Sequence, residues 1–185
     1  MSGLNHMRIA IIAVDGFEES ELTEPKKALE KAGAKVDVVS EKKGEIQGFK
    51  HLDKAGKVKV DCTLDEIHLD QYDALMLPGG ALNADAARAL PRVRQIIFEM
   101  DRARKPIAAI CHAPWELISA EIVTGRSLTS WHTIQDDVRN AGGQWVDEEC
   151  VVDQNLVTSR GPRDLPIFNR EMIALFAKQP VVHAR

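Results

Sequence analysis

Four short apolar runs recur along this chain: MRIAIIAV (7–14), AKVDVVS (34–40), YDALMLPGG (72–80) and KPIAAICH (105–112), with polar, helix-like stretches between them. Runs of that length, bounded by turn residues, suit strands buried on both faces, and strands alternating with helices build a parallel sheet. The expected fold class is therefore α/β: a three-layer α/β/α sandwich on a mostly parallel, flavodoxin-like sheet. In such sheets function gathers at the carboxyl ends of the strands. That rule selects three loops: Asp15 to Glu21, Pro78 to Asp85 and Cys111 to Trp115.

The intervening segments fill in the plan. FEESELTEPKKALEKAG (17–33) reads as the first helix, with Glu18, Glu19 and Glu21 in its first turn, where carboxylates suit the dipole, and Gly33 as its stop. Pro25 removes a backbone donor and predicts a kink or restart there. The glycine-spaced stretch 44–64 predicts a β-hairpin excursion, and the alanine-rich stretch 83–104, interrupted at Pro91, predicts helix. Beyond the fourth run the alternation weakens. It predicts a helix over 113–121, a short strand at 127–130, a helix over 132–141, a hairpin through 151–158 and a closing helix over 164–177.

One domain over 7–178 is expected, after a disordered lead-in at 1–6 and before a C-terminal tail at 179–185. A net charge of -4 with dispersed Lys and Arg gives no footprint for nucleic acid. No run approaches the roughly 20 apolar residues of a membrane span, and the N-terminus lacks a signal-peptide core, so a cytoplasmic location is expected. Cys62, Cys111 and Cys150 are odd in number and unpatterned in spacing, which predicts three reduced thiols and neither a disulfide framework nor a metal site. No cofactor is expected.

Cys111 stands apart because it ends the IAAI run where strand gives way to helix, directly before a histidine. A sharp turn there would present the thiol at a helix N-terminus, a setting that lowers a thiol pKa from its ordinary value near ~8.5. Backbone amides of Gly79 and Gly80, with that of Ala113 or His112, are candidates for an oxyanion site. Glu18 and Glu21, three apart, share a helix face, and one of them would reach the sulfur as a proton-sharing partner. His112 is a candidate general base, and Asp85 the carboxylate to orient it. Each has a plainer reading: Cys111 as core filler, the glutamates as dipole partners, the glycines as a tight turn, Asp85 as a helix cap. Cys62 and Cys150 read as structural, and His132, after Trp131, as a residue that packs or caps the helix beginning there, with lining of the pocket as the alternative.

VDGFEESEL, DALMLPGG, KPIAAICHAPWEL and TSWHTIQDDVRNAGGQWVDEECVVDQNLVTSRGPRDL together resemble the PfpI family, the intracellular-protease-I-like branch of the class I glutamine amidotransferase-like superfamily, which also holds the parkinsonism-associated deglycase. The resemblance spans Met7 to Lys178. It implies Cys111 as nucleophile with His112 beside it, Glu21 as the buried carboxyl at the sulfur, and the Gly79 and Gly80 amides as the oxyanion site. It also implies a homo-oligomer, dimer or hexamer, in which an acid from the adjacent subunit contacts the histidine; the matching position falls at Asp85 or, in an equal alignment, Ala84. The family's elbow usually continues Cys-His-Gly, where this chain has Ala113. The implied activity is a cysteine-dependent hydrolase of protein or metabolite repair, acting on small carbonyl compounds such as methylglyoxal or on glycated protein and peptide, with a protease-like name. A redox-sensing stress protein that cycles Cys111 through its oxyacids, and an inert binding module of the same fold, are the rival readings.

Overall fold

The computed structural model describes residues 3–178; the expected C-terminal tail at 179–185 lies outside them. In chain order the elements are β1 (Arg8–Ile12), β2 (Phe17–Glu18), α1 (Glu19–Lys31), β3 (Lys35–Ser40), β4 (Glu45–Lys50), β5 (Asp53–Lys59), β6 (Cys62–Thr63), β7 (Ala74–Leu77), α2 (Ala81–Ala89), α3 (Pro91–Arg102), β8 (Ile107–Ile110), α4 (Pro114–Ser119), β9 (Ser127–Leu128), α5 (Gln135–Asn140), β10 (Gln144–Trp145), β11 (Cys150–Asp153), β12 (Leu156–Ser159) and α6 (Leu165–Phe176).

Seven strands form the main sheet in the order β11-β12-β8-β7-β1-β3-β6, parallel throughout except for the antiparallel edge pair β11–β12. Numbered by their place in the chain, β1, β3, β7, β8 and β12 run 2-1-3-4-5, the flavodoxin-like order, whose switch point falls between β1 and β7. Side-chain alternation divides the core. Ile9, Ile11, Met76, Ala108 and Ile110 face Leu22 and Leu29 of α1 and Phe168 and Met172 of α6. Ala10, Ile12, Leu75, Leu77 and Ala109 face Val93 and Ile97 of α3, Leu117 of α4 and Val138 of α5. A strand apolar at every position has no polar face to offer water, so helices must cover both sides.

Two expectations need correction. α1 runs unbroken through Pro25. The ring removes only one hydrogen bond, and packing of Leu22 and Leu29 in the core holds the helix across that gap. The lead-in is also not loose throughout: Leu4 is 1% exposed, packs in the core, and its amide donates to the Ala32 carbonyl at 2.7 Å.

The hairpin is the excursion expected over 44–64, but its position is tertiary. β4 pairs with β2, and the Gly56 amide donates to Glu19 Oε1 at 2.7 Å, so the β4–β5 tip folds back over the loop that follows β1. Gly48 permits this approach, because a Cβ there would lie 3.0 Å from the Phe17 ring. Among the described residues no helix is long and apolar enough to cross a membrane.

Candidate active site

The carboxyl ends of β1, β7 and β8 lie side by side, so the three loops selected above converge. Cys111 follows β8 with φ +63°, a left-handed conformation that costs a non-glycine residue about 1 kcal/mol or more. The ladder holds it there: its amide donates to Ser159 O at 3.0 Å, and its carbonyl accepts from the Trp131 amide at 2.8 Å. Pro114 at the first position of α4 then starts the helix, having no amide hydrogen to leave unpaired. The result is a strained elbow that leaves the thiol 6% exposed at the floor of a cavity of about 320 Å³. Glu18, Glu21, Phe49, His51, Gly80 and Trp131 line it with the cysteine and His112.

Glu21 lies beneath the sulfur. It is 0% exposed, and neither carboxyl oxygen meets a well-formed hydrogen-bond partner among the described residues. Its neighbours are the thiol and the Gly79 amide, and Gly79 has no room for a side chain: a Cβ would come within 2.2 Å of Glu21 Oε2 and 2.5 Å of Cys111 Cβ. Burial, with the Glu18 charge added, pushes the Glu21 pKa up to about 8. The thiol does not follow the expectation of a lowered pKa. Burial pushes it up, an ionised Glu21 would push it further, and the amides of Gly80 and His112 pull the other way. A thiolate at this sulfur therefore depends on Glu21 keeping its proton, so the pair carries one negative charge rather than two.

The expected oxyanion donors divide. Gly80 and His112 direct their amides at the sulfur, whereas the Gly79 amide faces Glu21, and the Ala113 amide is consumed by Ile110 O at 3.1 Å. Ala113 is instead a buried turn residue with helical φ and ψ. Gly80 adopts φ +94°, and a Cβ there would meet the Gly16 carbonyl at 2.5 Å, so the loop after β7 can sit against the loop after β1 only with glycine at this place.

His112 Nδ1 is 3.2 Å from Cys111 Sγ, so the two adjacent side chains converge at the turn. Burial lowers the imidazole pKa, with nearby His132 adding to the effect, which keeps the ring neutral at pH 7. No carboxylate of the described residues hydrogen-bonds it. Asp85 does not reach the ring within the chain: it is exposed on α2, beyond the helix cap, which is Gly80. Ala84, the other aligned position, is buried and carries no acid. Glu18 stands just before α1 rather than in its first turn; it lines the cavity and accepts from the His51 amide at 3.0 Å. His132 is exposed beside Trp131 and lines a second cavity of about 590 Å³ that shares His51, Trp131 and Pro162 with the first. Cys62 and Cys150 are free and half-buried; burial raises both thiols, that of Cys150 to about 12. Among the described residues no group of three or more His, Cys, Asp or Glu could hold a metal ion.

Three participants escape a reading of the sequence. Asn83, fully buried, accepts from the Val14 amide at 2.8 Å and donates to Pro78 O and Gly79 O, tying the ends of β1 and β7 together. Its only sequence signal is a polar residue on the inner face of an alanine-rich helix. His51 arrives from the hairpin tip, and Trp131 from the loop after β9, each too far along the chain for spacing to link it to Cys111.

A parallel α/β sheet with a cysteine on a strained strand-to-helix elbow, a buried acid beneath the sulfur and a histidine at its side defines a cysteine-nucleophile protein of the nucleophile-elbow type. Residues 7–175 match the DJ-1/PfpI family, and the chain belongs to it. It is 43% identical over 169 residues to Deglycase TK1284 of Thermococcus kodakarensis, covering 91% of this chain and 99% of that one. It is 41% identical over 172 residues to General stress protein 18 of Bacillus subtilis, covering 92% and 98%. Among solved structures, Drosophila melanogaster DJ-1beta superposes with a TM-score of 0.85 at 28% identity, covering 94% of this chain and 91% of that chain.

Proposed function

We propose that this protein is a cysteine-dependent hydrolase of stress-related repair, acting on small carbonyl compounds or on glycated protein and peptide. The observation that carries the reading is the pairing of Cys111, held at φ +63° with its sulfur toward a cavity, with a wholly buried Glu21 whose pKa stands near 8. Relatives bearing the name deglycase, at about the same identity over nearly the whole chain, support it.

In this reading the thiol proton passes to His112 Nδ1, 3.2 Å away, as the sulfur adds to the substrate carbonyl carbon. An S–C bond forms, the carbonyl π pair moves to oxygen, and the Gly80 and His112 amides receive the negative charge. Glu21, protonated near neutral pH, donates toward the sulfur and stabilises the thiolate without adding a second charge. With a peptide carbonyl, collapse of the adduct breaks the C–N bond, His112 returns its proton to the departing amine, and water hydrolyses the remaining thioester to the acid and the free thiol. With methylglyoxal, the hemithioacetal first moves its C1 proton to C2 through an ene-diol, which makes a hydroxyacyl thioester that water releases as the hydroxy acid.

A homo-oligomer in the cytoplasm completes the reading, with Asp85, exposed on α2, offered to a neighbouring copy. Cys111→Ala should abolish turnover of methylglyoxal, glycated peptide and peptide reporters while the fold persists. Wild-type rates on all three would overturn the nucleophile assignment. The absence of an acid on His112 among the described residues favours one rival, a redox-sensing thiol with no committed substrate. That rival needs neither base nor oxyanion site. If His112→Ala preserves peroxide reactivity and stress protection, and the wild type turns over none of the three substrates, the sensor is the correct reading.

A further inference from the structure

His112 is fixed in place although no acid of the described residues reaches it. Trp131 stacks on one side of the ring, with centroids 5.8 Å apart and planes at 25°. Trp115, one helical turn after the histidine, stands 5.3 Å away at 59°. Both indoles are anchored. The Trp131 amide is bound to the Cys111 carbonyl, and Gly161 packs on its ring so closely that a Cβ would lie 3.3 Å from it. Trp115 Nε1 donates to Asp137 Oδ2 on α5 at 2.8 Å. Arg88 of α2 places its guanidinium 5.5 Å from the Trp115 ring, and its own Nε donates to Ser119 Oγ at 2.9 Å. α2, α4, α5 and the loop after β9 therefore all bear on one imidazole.

We propose that Trp115, anchored by Asp137 and Arg88, is a positioning residue for His112: with Trp131 it holds the ring with Nδ1 toward the Cys111 sulfur, the orienting task that a carboxylate performs in a Ser-His-Asp triad. The proposal rests on the reading that His112 moves the thiol proton. An imidazole packed against two anchored indoles gives up side-chain freedom when the chain folds, so less is lost at the moment of reaction. Trp115 does not line the cavity, so it acts through the histidine and not on the substrate. A carboxylate from a neighbouring copy would add charge stabilisation to a ring already in position.

The test compares Trp115→Ala, Trp115→Phe and Asp137→Asn, with Asp136→Asn on the exposed face of α5 as control. The readouts are kcat and KM on glycated peptide, the His112 titration by NMR, and thermal unfolding. Trp115→Ala should lower kcat roughly tenfold and leave KM within about twofold. The His112 titration, held below its ordinary 6.5 by burial, should climb back toward it. Asp137→Asn should move both in the same direction by less, and Trp115→Phe should recover most of the loss. An unchanged kcat with an unmoved titration overturns the proposal. So does a kcat that falls only with the folded fraction while His112 titrates as in the wild type, since Trp115 would then only join α4 to α5. If Trp115→Ala does not fold, Trp115→Phe and Asp137→Asn decide. The titration needs no substrate, so it judges the indole cage even if Cys111→Ala has shown the hydrolase reading to be wrong.

Discussion

Replacing Glu21 with glutamine should make the protein more stable at neutral pH while removing its activity. The folded chain holds this carboxyl at a pKa of about 8, against an ordinary 4.5, chiefly because burial penalises the carboxylate. Below 4.5 the group is protonated in both states and contributes nothing. Between 4.5 and 8 the unfolded chain ionises while the folded chain retains its proton, so native stability falls as pH rises, and above 8 the penalty is complete. The two and a half pH units from 4.5 to 7, at about 1.4 kcal/mol each, amount to about 3 kcal/mol. Glutamine keeps the shape and cannot ionise, but it buries amide hydrogens that cost about 1–2 kcal/mol if they find no partner. The net gain at pH 7 is then about 1–2 kcal/mol, and it should turn into a small loss near pH 4.5. Urea unfolding of both proteins at several pH values, under reducing conditions, measures this directly. The difference between them should grow by up to about 1.4 kcal/mol per pH unit across the window. A constant difference from pH 5 to 8.5 would refute the buried, proton-retaining carboxyl, and with it the shared proton on which the thiolate depends.

Gly79→Ala forces a Cβ into Glu21 Oε2 and Cys111 Cβ, so turnover should be lost and stability reduced by about 1–3 kcal/mol, read by thermal melting. Cys111→Gly should be about 1 kcal/mol more stable than Cys111→Ala, because only glycine takes φ +63° without strain; equal midpoints in denaturant would argue against the strained elbow. Asn83→Ala leaves the Val14 amide and the Pro78 carbonyl without their partner and should cost about 2 kcal/mol or more, whereas Asp85→Ala, on the exposed face of the same helix, should stay within about 0.5 kcal/mol. With His112 as base and its pKa lowered by burial, kcat/KM should hold as pH falls to 6.5 and drop only beneath it; an acid limb centred above 6.5 would count against that role.

The elements of the sheet were legible because each is written locally. IAAI can only be a strand covered on both faces, Gly33 stops α1, and the glycine-spaced stretch before residue 64 returns on itself as β4 and β5. Pro25 misled for a reason of scale. A single lost hydrogen bond is a local penalty, and the packing of α1 on β1 and β3 outweighs it. Leu4 misled in the opposite sense, since one apolar residue in a polar lead-in carries no periodic signal yet finds a place in the core. Within the site, Cys111 and Glu21 could be named from their positions on loops that any parallel sheet would bring to one end. The direction of an amide cannot be read that way, and so Gly80 and His112 had to be separated from Gly79 and Ala113 by the fold.

What the sequence determined by itself, then, is a set of buried strands, the ends at which they turn, and a cysteine placed on one of those ends, because apolar period and turn chemistry act over a few residues. The order of the strands, and everything that depends on who becomes a neighbour, belongs to the tertiary structure. Adjacency of β1, β7 and β8 puts a carboxyl under the sulfur and removes it from water, which turns an ordinary first-turn glutamate into an acid with a pKa near 8. The same long-range packing brings Trp115 and Trp131 against His112 and leaves Asp85 exposed on α2, with no hydrogen bond to the ring. Burial and charge separation are properties of the assembled surroundings, and no spacing along the chain records them.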